Sequence, residues 1–209
     1  MTYSQNDIEN LETRFRANLI NSLGGFKSVV LIGTKSLQGN ENLGIFNSLF
    51  HIGANPAYCG FIIRPNEVKQ NTLGNIINTG QYTINHILPR FYKQAHQCSA
   101  KYEEGISEFE KTGLTPEYID SILAPFVVES SIKFACDLVQ KTDIELNGTT
   151  LIIGKIIKII APDTYILNDG FIDIEEAGTI TCSGLDSYHR TNEIGRLSYA
   201  KVDREIKEI

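Results

Sequence analysis

Polar side chains interrupt an apolar stretch of the sequence, and their chemistry suits a flat ligand that carries an anionic group. Asn47 and Ser48 lie within "GIFNSLFHIG", and Arg64 ends the apolar run "AYCGFIIRP". An amide and a hydroxyl can hydrogen-bond the polar edge of such a ligand. A guanidinium pairs well with phosphate or carboxylate oxygens, because its donors form a rigid fork. These three residues therefore indicate a candidate binding site.

A predicted helix start follows Arg64 closely in the chain. Asn71 or Thr72 is the predicted cap of a short helix, "NTLGNIINTG", which Gly80 ends. The N-terminus of a helix favours anions, because its first N–H groups are unpaired and the helix dipole is positive there. The spacing therefore predicts an anion site near Arg64. An exposed arginine at a strand end is also common without any ligand.

The predicted strand that holds Asn47 and Ser48 has two mixed faces. With the two-residue repeat of a strand, one face carries Phe46, Ser48 and Phe50, and the other carries Asn47, Leu49 and His51. A barrel strand with internally satisfied polar groups also explains this pattern, and His51 is interpreted as a structural histidine. Periodicity alone leaves both interpretations open.

No common catalytic motif occurs in the sequence. The patterns GxGxxG, GxxxxGK[ST], HExxH and GxSxG are absent, which argues against a Rossmann dinucleotide site, a P-loop, a zincin and a nucleophile elbow. His96 and Cys98 are two residues apart, so they face different sides of a helix and predict neither a metal site nor a nucleophile pair. The four cysteines show no C-x-x-C spacing and are predicted to be thiols in a reducing compartment.

The composition favours an ordinary globular protein. The chain has 209 residues, a formal net charge of -6, 42% apolar residues and 21% charged residues. The acidic balance argues against a nucleic-acid partner. The N-terminus lacks the apolar core of a signal peptide, and the most apolar stretch, "TTLIIGKIIKIIAP", is too short and too charged to span a bilayer. We therefore expect a cytoplasmic protein without a membrane partner.

Hydrophobic periodicity predicts a mainly β fold with peripheral helices. A helix is predicted over residues 4–23 with Ser4 as its cap, and β-rich runs with short turns follow it. Such short connections favour antiparallel neighbours. Residues 89–123 are predicted to be a helical excursion that includes "TPEYIDSIL". The segment "TYILNDGFIDI" is predicted to be strand-like around a turn. Residues 183–209 are predicted to be a loop, the strand-like "RLSYA" and a charged tail. The sum is about six antiparallel strands in a barrel or a sandwich, within one domain over residues 1–209.

The order of these segments resembles the flavin reductase-like family, whose FMN-binding domain is a split β-barrel. The resemblance lies in "VVLIGTK", "NLGIFNSLFHIGANPAYCGFIIRP" and "NTLGNIINTGQYTINHI". Within them, the residues that follow the family's pattern are Asn47-Ser48, Pro56, "CGFII", Thr72-Leu73-Gly74-Asn75-Ile76, Gly80 and Asn85. The resemblance extends from Phe26 to Ile160 and rests on order and spacing rather than on one motif.

The resemblance implies a six-stranded antiparallel split β-barrel, Greek-key-like, which forms a homodimer and binds FMN at or near the subunit interface. The residues that it assigns to the edge of the isoalloxazine ring are Asn47, Ser48, Leu49 and Phe50. Those that it assigns to the phosphate or the ribityl chain are Arg64 and Thr72, and those that close the site are His86, Ser99, Ala100 and Lys101. Lys101 is a second candidate for the phosphate charge, and the helix predicted over residues 4–23 is a candidate interface element.

One departure from the family's pattern concerns the nicotinamide. Many reductases of the family carry Asp-His before the next strand, whereas this chain has Asn147 and Gly148 there, and Lys155 replaces an acidic residue. The resemblance therefore supports flavin binding better than it supports oxidation of NAD(P)H. His189 is a candidate replacement for the missing histidine, although a histidine in a surface loop needs no such role.

Three functions stay open at this point. The first is an NAD(P)H-dependent flavin reductase, an enzyme in which FMN carries the electrons. The second is a flavoredoxin-like FMN electron carrier, which receives electrons from a redox protein partner and has no NAD(P)H site. The third is a barrel without flavin that binds a hydrophobic ligand or a protein partner.

Overall fold

Antiparallel strands dominate the regular structure of the chain, and the helices are short. The structure is a computed structural model that describes residues 1–65, 71–103 and 105–209. Its strands are β1 (Lys27–Ser28), β2 (Val30–Lys35), β3 (Glu41–Phe46), β4 (Phe50–Ala54), β5 (Ala57–Ile63), β6 (Gln81–His86), β7 (Pro116–Glu117), β8 (Phe126–Val127), β9 (Lys133–Ile144), β10 (Thr149–Ile160), β11 (Thr181–Ser183) and β12 (Ser187–His189). Its helices are α1 (Gln5–Asn10), α2 (Thr13–Leu23), α3 (Asn71–Thr79), α4 (Tyr92–Gln97) and α5 (Glu108–Thr112), with a 3-10 helix at Asp163–Tyr165. A mainly β fold with peripheral helices is therefore confirmed.

Seven strands form one antiparallel sheet in the order β3-β2-β6-β9-β10-β5-β4. A second sheet contains β1, β11 and β12, and β7 pairs with β8. The predicted count of six strands is not confirmed, because "GIFNSLFHIG" does not form one strand. β3 ends at Phe46 and β4 begins at Phe50, and these strands occupy opposite edges of the sheet.

The main sheet must curl, because the residues from Asn47 to Leu49 are all that connects its two edge strands. The connection from Phe46 to Phe50 can span at most about 14 Å, whereas the edges of a flat seven-stranded sheet would lie about 29 Å apart. Within the described residues no ladder joins β3 to β4, so the curled sheet stays open between them. We call this opening the seam.

Ser48 accounts for the place where the β4–β5 ladder ends. Phe50 opposes Gly60 in that ladder, so the same register places Ser48 opposite Ile62. The Ser48 hydroxyl donates to the Ile62 carbonyl at 3.1 Å and accepts from the Ile62 amide at 3.0 Å. One side chain thus satisfies both backbone groups of Ile62, and the main chain at residues 47–49 leaves the sheet.

Apolar side chains cover both faces of the main sheet. On one face, Ile32 packs in a buried cluster with Phe61. On the other face, Leu31 packs in a second cluster with Ala95 of α4 and Phe109 of α5. Neighbouring residues of a strand point to opposite faces, so β2 lies between the two clusters and supports the elements on both sides.

The helix predicted over residues 4–23 is two helices. Ser4 caps α1 in a capping box with Asp7, so the predicted cap is confirmed. Glu12 then caps α2, because its carboxylate accepts from the amides of Arg14 and Phe15. None of the described helices is long and apolar enough to cross a membrane.

Two further helix predictions differ from the structure. The helix α3 ends as predicted before Gly80, whose φ is 73°, but it already includes Asn71 and Thr72, so neither of these residues is its cap. The helical prediction for "TPEYIDSIL" is wrong. Its first residues form β7, which pairs with β8, although α4 and α5 do place helices elsewhere in residues 89–123.

The C-terminal part also differs from its prediction. The strand-like pattern around "NDG" is reduced to one bridge between Ile166 and Ile172, and "RLSYA" contributes a bridge between Leu197 and Glu208. The sequence analysis missed the hairpin β11–β12 in "TCSGLDSYH", which pairs with β1 through β11. This hairpin returns the chain to the edge of the main sheet near Asn47.

Candidate functional site

A cleft of about 1320 Å³ opens beside the seam. Its inner wall, on the main sheet and the start of α3, consists of Asn42, residues 44–49, residues 62–65 and Thr72. Its outer wall, on the segments packed against the sheet, consists of Phe26, Lys27, His96, residues 98–102, Glu108, Cys182, Leu185, Asp186 and Tyr188. Ser28, Val29, Asn147 and Thr149 complete the lining. Small-molecule sites measure about 300–1,000 Å³, so the cleft is large enough for a cofactor together with a second ligand.

The three predicted residues that cross the seam all line the cleft. Ser48 is fixed by Ile62, as described above, and the Leu49 carbonyl accepts from the Ser28 hydroxyl at 2.7 Å. Asn47 donates through Nδ2 to the carbonyl of Gly184 at 3.2 Å. The crossing segment is thus held from both sides, which gives this part of the inner wall a defined shape.

The predicted anion-binding residues lie at one end of the inner wall. Arg64 and Thr72 both line the cleft. Arg64 donates through Nη2 to Asn21 Oδ1 of α2 at 2.8 Å. The Thr72 hydroxyl accepts from Asn42 Nδ2 at 2.9 Å, and the same amide nitrogen donates to Thr34 Oγ1 at 3.1 Å. The structure therefore brings Arg64 and the first turn of α3 to one cleft.

The predicted closing segment forms part of the outer wall. Ser99, Ala100 and Lys101 are exposed and line the cleft directly after α4. The Ser99 hydroxyl donates to the His96 carbonyl at 2.7 Å, and the Ala100 amide donates to the Gln97 carbonyl at 3.1 Å. These turns fold the segment back over the end of α4 and leave the Lys101 side chain at the opening.

The other two predicted site residues do not line the cleft. Phe50 begins β4, is 43% exposed and packs over Gly60 of the neighbouring strand. His86 at the end of β6 is partly buried, and its Nδ1 shares a hydrogen bond of 3.1 Å with Thr179 Oγ1. Burial lowers the pKa of His86 to about 4, so the imidazole is neutral at pH 7. His189 of β12 is bonded to Ser183 and Ser187 instead of facing the cleft.

The sequence analysis missed the residues that the β11–β12 hairpin adds to the outer wall. Leu185 and Asp186 lie at its tip, and Gly184 before them has a φ of 60°, which favours glycine. Tyr188 follows on β12, where its hydroxyl lies 2.7 Å from His96 Nδ1. The tripeptide Gly-Leu-Asp between two short β-prone runs was the available turn signal.

Two further groups of the cleft are shielded from water. The Glu108 carboxylate accepts from the Leu43 amide at 2.9 Å, and burial raises its pKa. Burial also raises the pKa of the Cys98 thiol to about 12, so it stays protonated and is a poor nucleophile. All four cysteines are buried and free, and the described residues contain no group of side chains that could hold a metal ion.

The charges around the cleft differ from the acidic balance of the whole chain. Three cations, Lys27, Arg64 and Lys101, line it against two carboxylates, Glu108 and Asp186. The ammonium group of Lys27 donates to the carbonyls of Asn21 and Gly184 at 3.1 and 2.8 Å. This local excess of positive charge suits a ligand with a phosphate group.

The free edge of β3 adds backbone donors to the inner wall. The Leu43 amide points away from β2, because it donates to Glu108. In an antiparallel ladder the amides of alternate residues point the same way, so the Ile45 amide also points outward, on the side where Ile45 lines the cleft. Outward amides beside cations and apolar residues fit a flavin, which has a polar edge, an apolar ring and an anionic tail in its phosphorylated form.

Comparison with known proteins places the chain in a family. The model of the flavin reductase like domain matches residues 24–169, which is most of the chain. This protein belongs to the flavin reductase-like family. The resemblance found in the sequence is therefore confirmed, and the family implies a flavin cofactor.

Solved structures of similar proteins superpose on nearly the whole chain. A protein of Shewanella frigidimarina NCIMB 400, named as a flavin reductase with a split barrel domain, is 49% identical, with a TM-score of 0.93 over 96% of this chain and 100% of that one. Nitrilotriacetate monooxygenase component B of Bacillus cereus is 19% identical, with a TM-score of 0.81 over 94% and 98%. Flavoredoxin of Desulfovibrio vulgaris (Miyazaki F) is also 19% identical, with a TM-score of 0.72 over 97% and 98%. The last two likenesses show the fold alone.

The two walls differ in how the family covers them. Every residue of the inner wall lies within the matched residues 24–169. The hairpin residues of the outer wall, from Cys182 to Tyr188, lie beyond them. In this flavin reductase-like protein, the inner wall thus lies within the matched domain, whereas part of the outer wall lies beyond it.

Proposed function

We propose that this protein binds FMN in the cleft beside the seam and works as an NAD(P)H-dependent flavin oxidoreductase. The observation that carries the proposal is the meeting, in one cleft, of the seam-crossing residues 47–49 with Arg64 and Thr72. Bound FMN would supply the redox chemistry, since it can take two electrons from a reduced nicotinamide and pass them to an acceptor.

Each part of the inner wall has a role in this proposal. Asn47 and the outward amide of Ile45 face the polar edge of the flavin ring. Ser48 shapes the wall instead of binding the ring, because Ile62 already uses its hydroxyl in both directions. Arg64 and the first turn of α3 hold the phosphate, with Lys101 as a second cation at the opening.

Titration of the purified protein with FMN and with riboflavin, followed by flavin fluorescence, tests this assignment. A charged hydrogen bond to phosphate contributes about 1.5–3 kcal/mol, so Arg64→Ala should weaken FMN binding by about 10- to 100-fold. Riboflavin has no phosphate, and its affinity should not change. Arg14→Ala is the matched control, because Arg14 is exposed on α2 outside the cleft.

Either of two results would reject this assignment. A colourless protein that takes up no FMN would exclude both flavin functions and favour the barrel without flavin. Unchanged FMN affinity in Arg64→Ala would reject the assignment of Arg64 to the phosphate.

A specific observation favours an electron carrier as the second candidate. Asn147 lies in the lining of the cleft, at the position where many reductases of the family carry the Asp-His pair. Its Oδ1 accepts from the amide and hydroxyl of Thr149 at 3.2 and 2.8 Å, so its carbonyl oxygen is already used. Anaerobic mixing with NADH and with NADPH separates the candidates: bleaching of the flavin supports the reductase, and no bleaching supports a carrier that a redox protein partner reduces.

We also propose a homodimer that forms through α2. This helix buries no residue completely, and its apolar side chains are also exposed: Phe15 is 49% exposed and Leu23 is 73% exposed. Apolar side chains in this number on one helix favour a partner surface. Light scattering should give twice the chain mass of 23.3 kDa, and Leu23→Asp should halve it. The cytoplasmic location stays a prediction.

A further inference from the structure

His96 and Tyr188 form a polar pair on the outer wall that the proposed FMN site does not use. His96 lies in the last turn of α4 and Tyr188 on β12, and both line the cleft. The Nδ1 atom of His96 lies 2.7 Å from the Tyr188 hydroxyl, and the rings meet edge to face with centroids 5.7 Å apart. Two contacts between such distant segments hold the imidazole in one orientation.

A tyrosine hydroxyl suits a histidine that gives and regains a proton. It can accept from Nδ1–H in the imidazolium and equally in the neutral ring that is left when Nε2 has lost its proton. Burial raises the pKa of Tyr188 to about 12, so the hydroxyl itself stays neutral at pH 7. Among the described residues nothing is hydrogen-bonded to His96 Nε2, which is therefore the nitrogen that can serve a ligand.

The surroundings of the pair suit a planar ligand. Phe26 lines the cleft and is 67% exposed, and Tyr188 and Tyr102 add two more rings to the outer wall. Aromatic rings bind flat ligands by stacking or by edge contacts. The cleft also has room beyond a single cofactor, as its volume of about 1320 Å³ indicates.

We propose that His96 is the proton donor for a planar quinone that binds against the outer wall and accepts the electrons of the flavin. This inference rests on the proposed function, because the electrons must come from reduced FMN in the same cleft. Bound FMN in its reduced form would supply two electrons and one proton to the quinone, and the second proton comes from His96 Nε2. Both quinone oxygens become hydroxyl groups, the flavin is oxidised, and water returns the proton to His96. Tyr188 is a positioning residue.

Other titratable groups near the pair also contribute to any pH dependence. They are Tyr92 and Lys93 of α4, Cys98, Lys101, Tyr102, Glu108, Cys182 and Asp186. Within the described part of the chain, none of them is hydrogen-bonded to the His96 ring. The variant His96→Gln keeps all of these groups, so the difference between it and the wild type isolates the proton of His96.

The test uses the full chain loaded with FMN, reduced by light, and mixed anaerobically with menadione or with ferricyanide at several pH values. Menadione takes up two protons with its electrons, whereas ferricyanide takes up electrons alone. General acid catalysis contributes about 10²–10⁴-fold, so His96→Gln should slow menadione reduction by about 100-fold or more and flatten its pH dependence. Ferricyanide reduction should not change. His51→Gln, an exposed histidine outside the cleft, is the matched control.

A second measurement does not depend on flavin turnover. NMR titration of the flavin-free chain gives the midpoint at which His96 loses its proton, and this midpoint should match that of the menadione rates. Tyr188→Phe should move both midpoints together, since it removes the partner of Nδ1.

Distinct results overturn the proposal. An unchanged menadione rate in His96→Gln, or an equal loss with both acceptors, would overturn the role of His96. Midpoints that disagree would do the same, and midpoints that Tyr188→Phe leaves in place would remove the role of Tyr188. If the protein takes up no flavin, its flavin absorbance is already missing before the acceptor is added. That result would overturn the proposed function together with this inference.

Discussion

The inner and outer walls of the cleft hold their polar side chains in different ways. On the inner wall, Ser48 bonds to both backbone groups of Ile62, and Thr72 shares the amide of Asn42 with a buried threonine. On the outer wall, His96 depends on a hydrogen bond and a ring contact with Tyr188 alone. The inner wall is thus part of the hydrogen bonding of the sheet, whereas the outer wall depends on few contacts between distant segments. We expect the inner wall to tolerate little change and the outer wall to set the choice of ligand.

The largest effect is expected in the support of the inner wall. Asn85 is fully buried, donates to the Leu31 carbonyl and Thr83 hydroxyl at 3.3 and 3.0 Å, and accepts from the Val127 amide at 2.9 Å. Asn85→Leu removes all three hydrogen bonds from a buried site, so the free energy of unfolding should fall by about 3–4 kcal/mol. Urea unfolding measures it.

The matched control for this variant is Asn78→Leu. Asn78 is exposed on α3, so its replacement should change the free energy of unfolding by less than about 0.5 kcal/mol. Equal effects of the two substitutions would show that the buried amide of Asn85 is not a support of the wall.

A slightly smaller effect on the free energy of unfolding is expected from pH, through His86, which lies outside the cleft. The pKa of His86 is lowered to about 4 by burial, and an unfolded histidine has a pKa of about 6.5. Between these values the unfolded chain binds a proton that the folded chain does not, so stability falls as the pH drops from about 6.5 towards about 4. The loss reaches roughly 3 kcal/mol. His86→Gln should remove this slope, and parallel curves of unfolding free energy against pH would contradict the prediction.

A moderate effect is expected where the inner wall crosses the seam. Ser48→Ala removes both bonds to Ile62, so the free energy of unfolding should fall by about 1–2 kcal/mol, and FMN binding should weaken as the wall loses its shape. Thermal unfolding and flavin fluorescence measure the two effects. Ser121→Ala, at an exposed serine, should change neither quantity.

The smallest effect on stability is expected in the outer wall. Lys27→Met removes one of two donors to the Gly184 carbonyl, and Asn47 keeps the other. The free energy of unfolding should therefore change by no more than about 1 kcal/mol. Hydrogen exchange in residues 183–187 should nevertheless become faster while β9 and β10 keep their rates. Unchanged exchange in the hairpin would show that the outer wall is as firmly built as the inner wall.

The main strands could be predicted from the sequence because their patterns are strong. The segments "VVLIGTK", "AYCGFII" and "QYTINH" became β2, β5 and β6, and the Asn147-Gly148 turn joined β9 to β10 as expected. The seam could not be predicted, since it depends on one serine that takes the place of a backbone ladder. The hydrophobic pattern of a sequence shows which side chains are polar, but it does not show which groups those side chains hydrogen-bond.

The candidate site was predicted on one wall and in part on the other. Most of the predicted residues line one cleft: Asn47, Ser48, Leu49, Arg64, Thr72, Ser99, Ala100 and Lys101. Phe50 lies outside the cleft because it begins β4 on the other side of the seam. His86 lies outside the cleft because its side chain is hydrogen-bonded to Thr179. The pair of His96 and Tyr188 could not be found from the sequence, since only the docking of a hairpin with three-residue strands brings them together. FMN binding by the predicted residues stays a prediction.

The seam gives the bound cofactor a mechanical task as well as a chemical one. A molecule that touches residues 44–49 and residues 62–65 at once would clamp two sheet edges that no backbone ladder connects in the described part of the chain. At a free concentration of 100 times its Kd, such a ligand adds about 2.7 kcal/mol to the free energy of unfolding. The lifetime of this protein in a cell would then follow the supply of the vitamin from which its cofactor is made, with starved cells clearing the empty chain first.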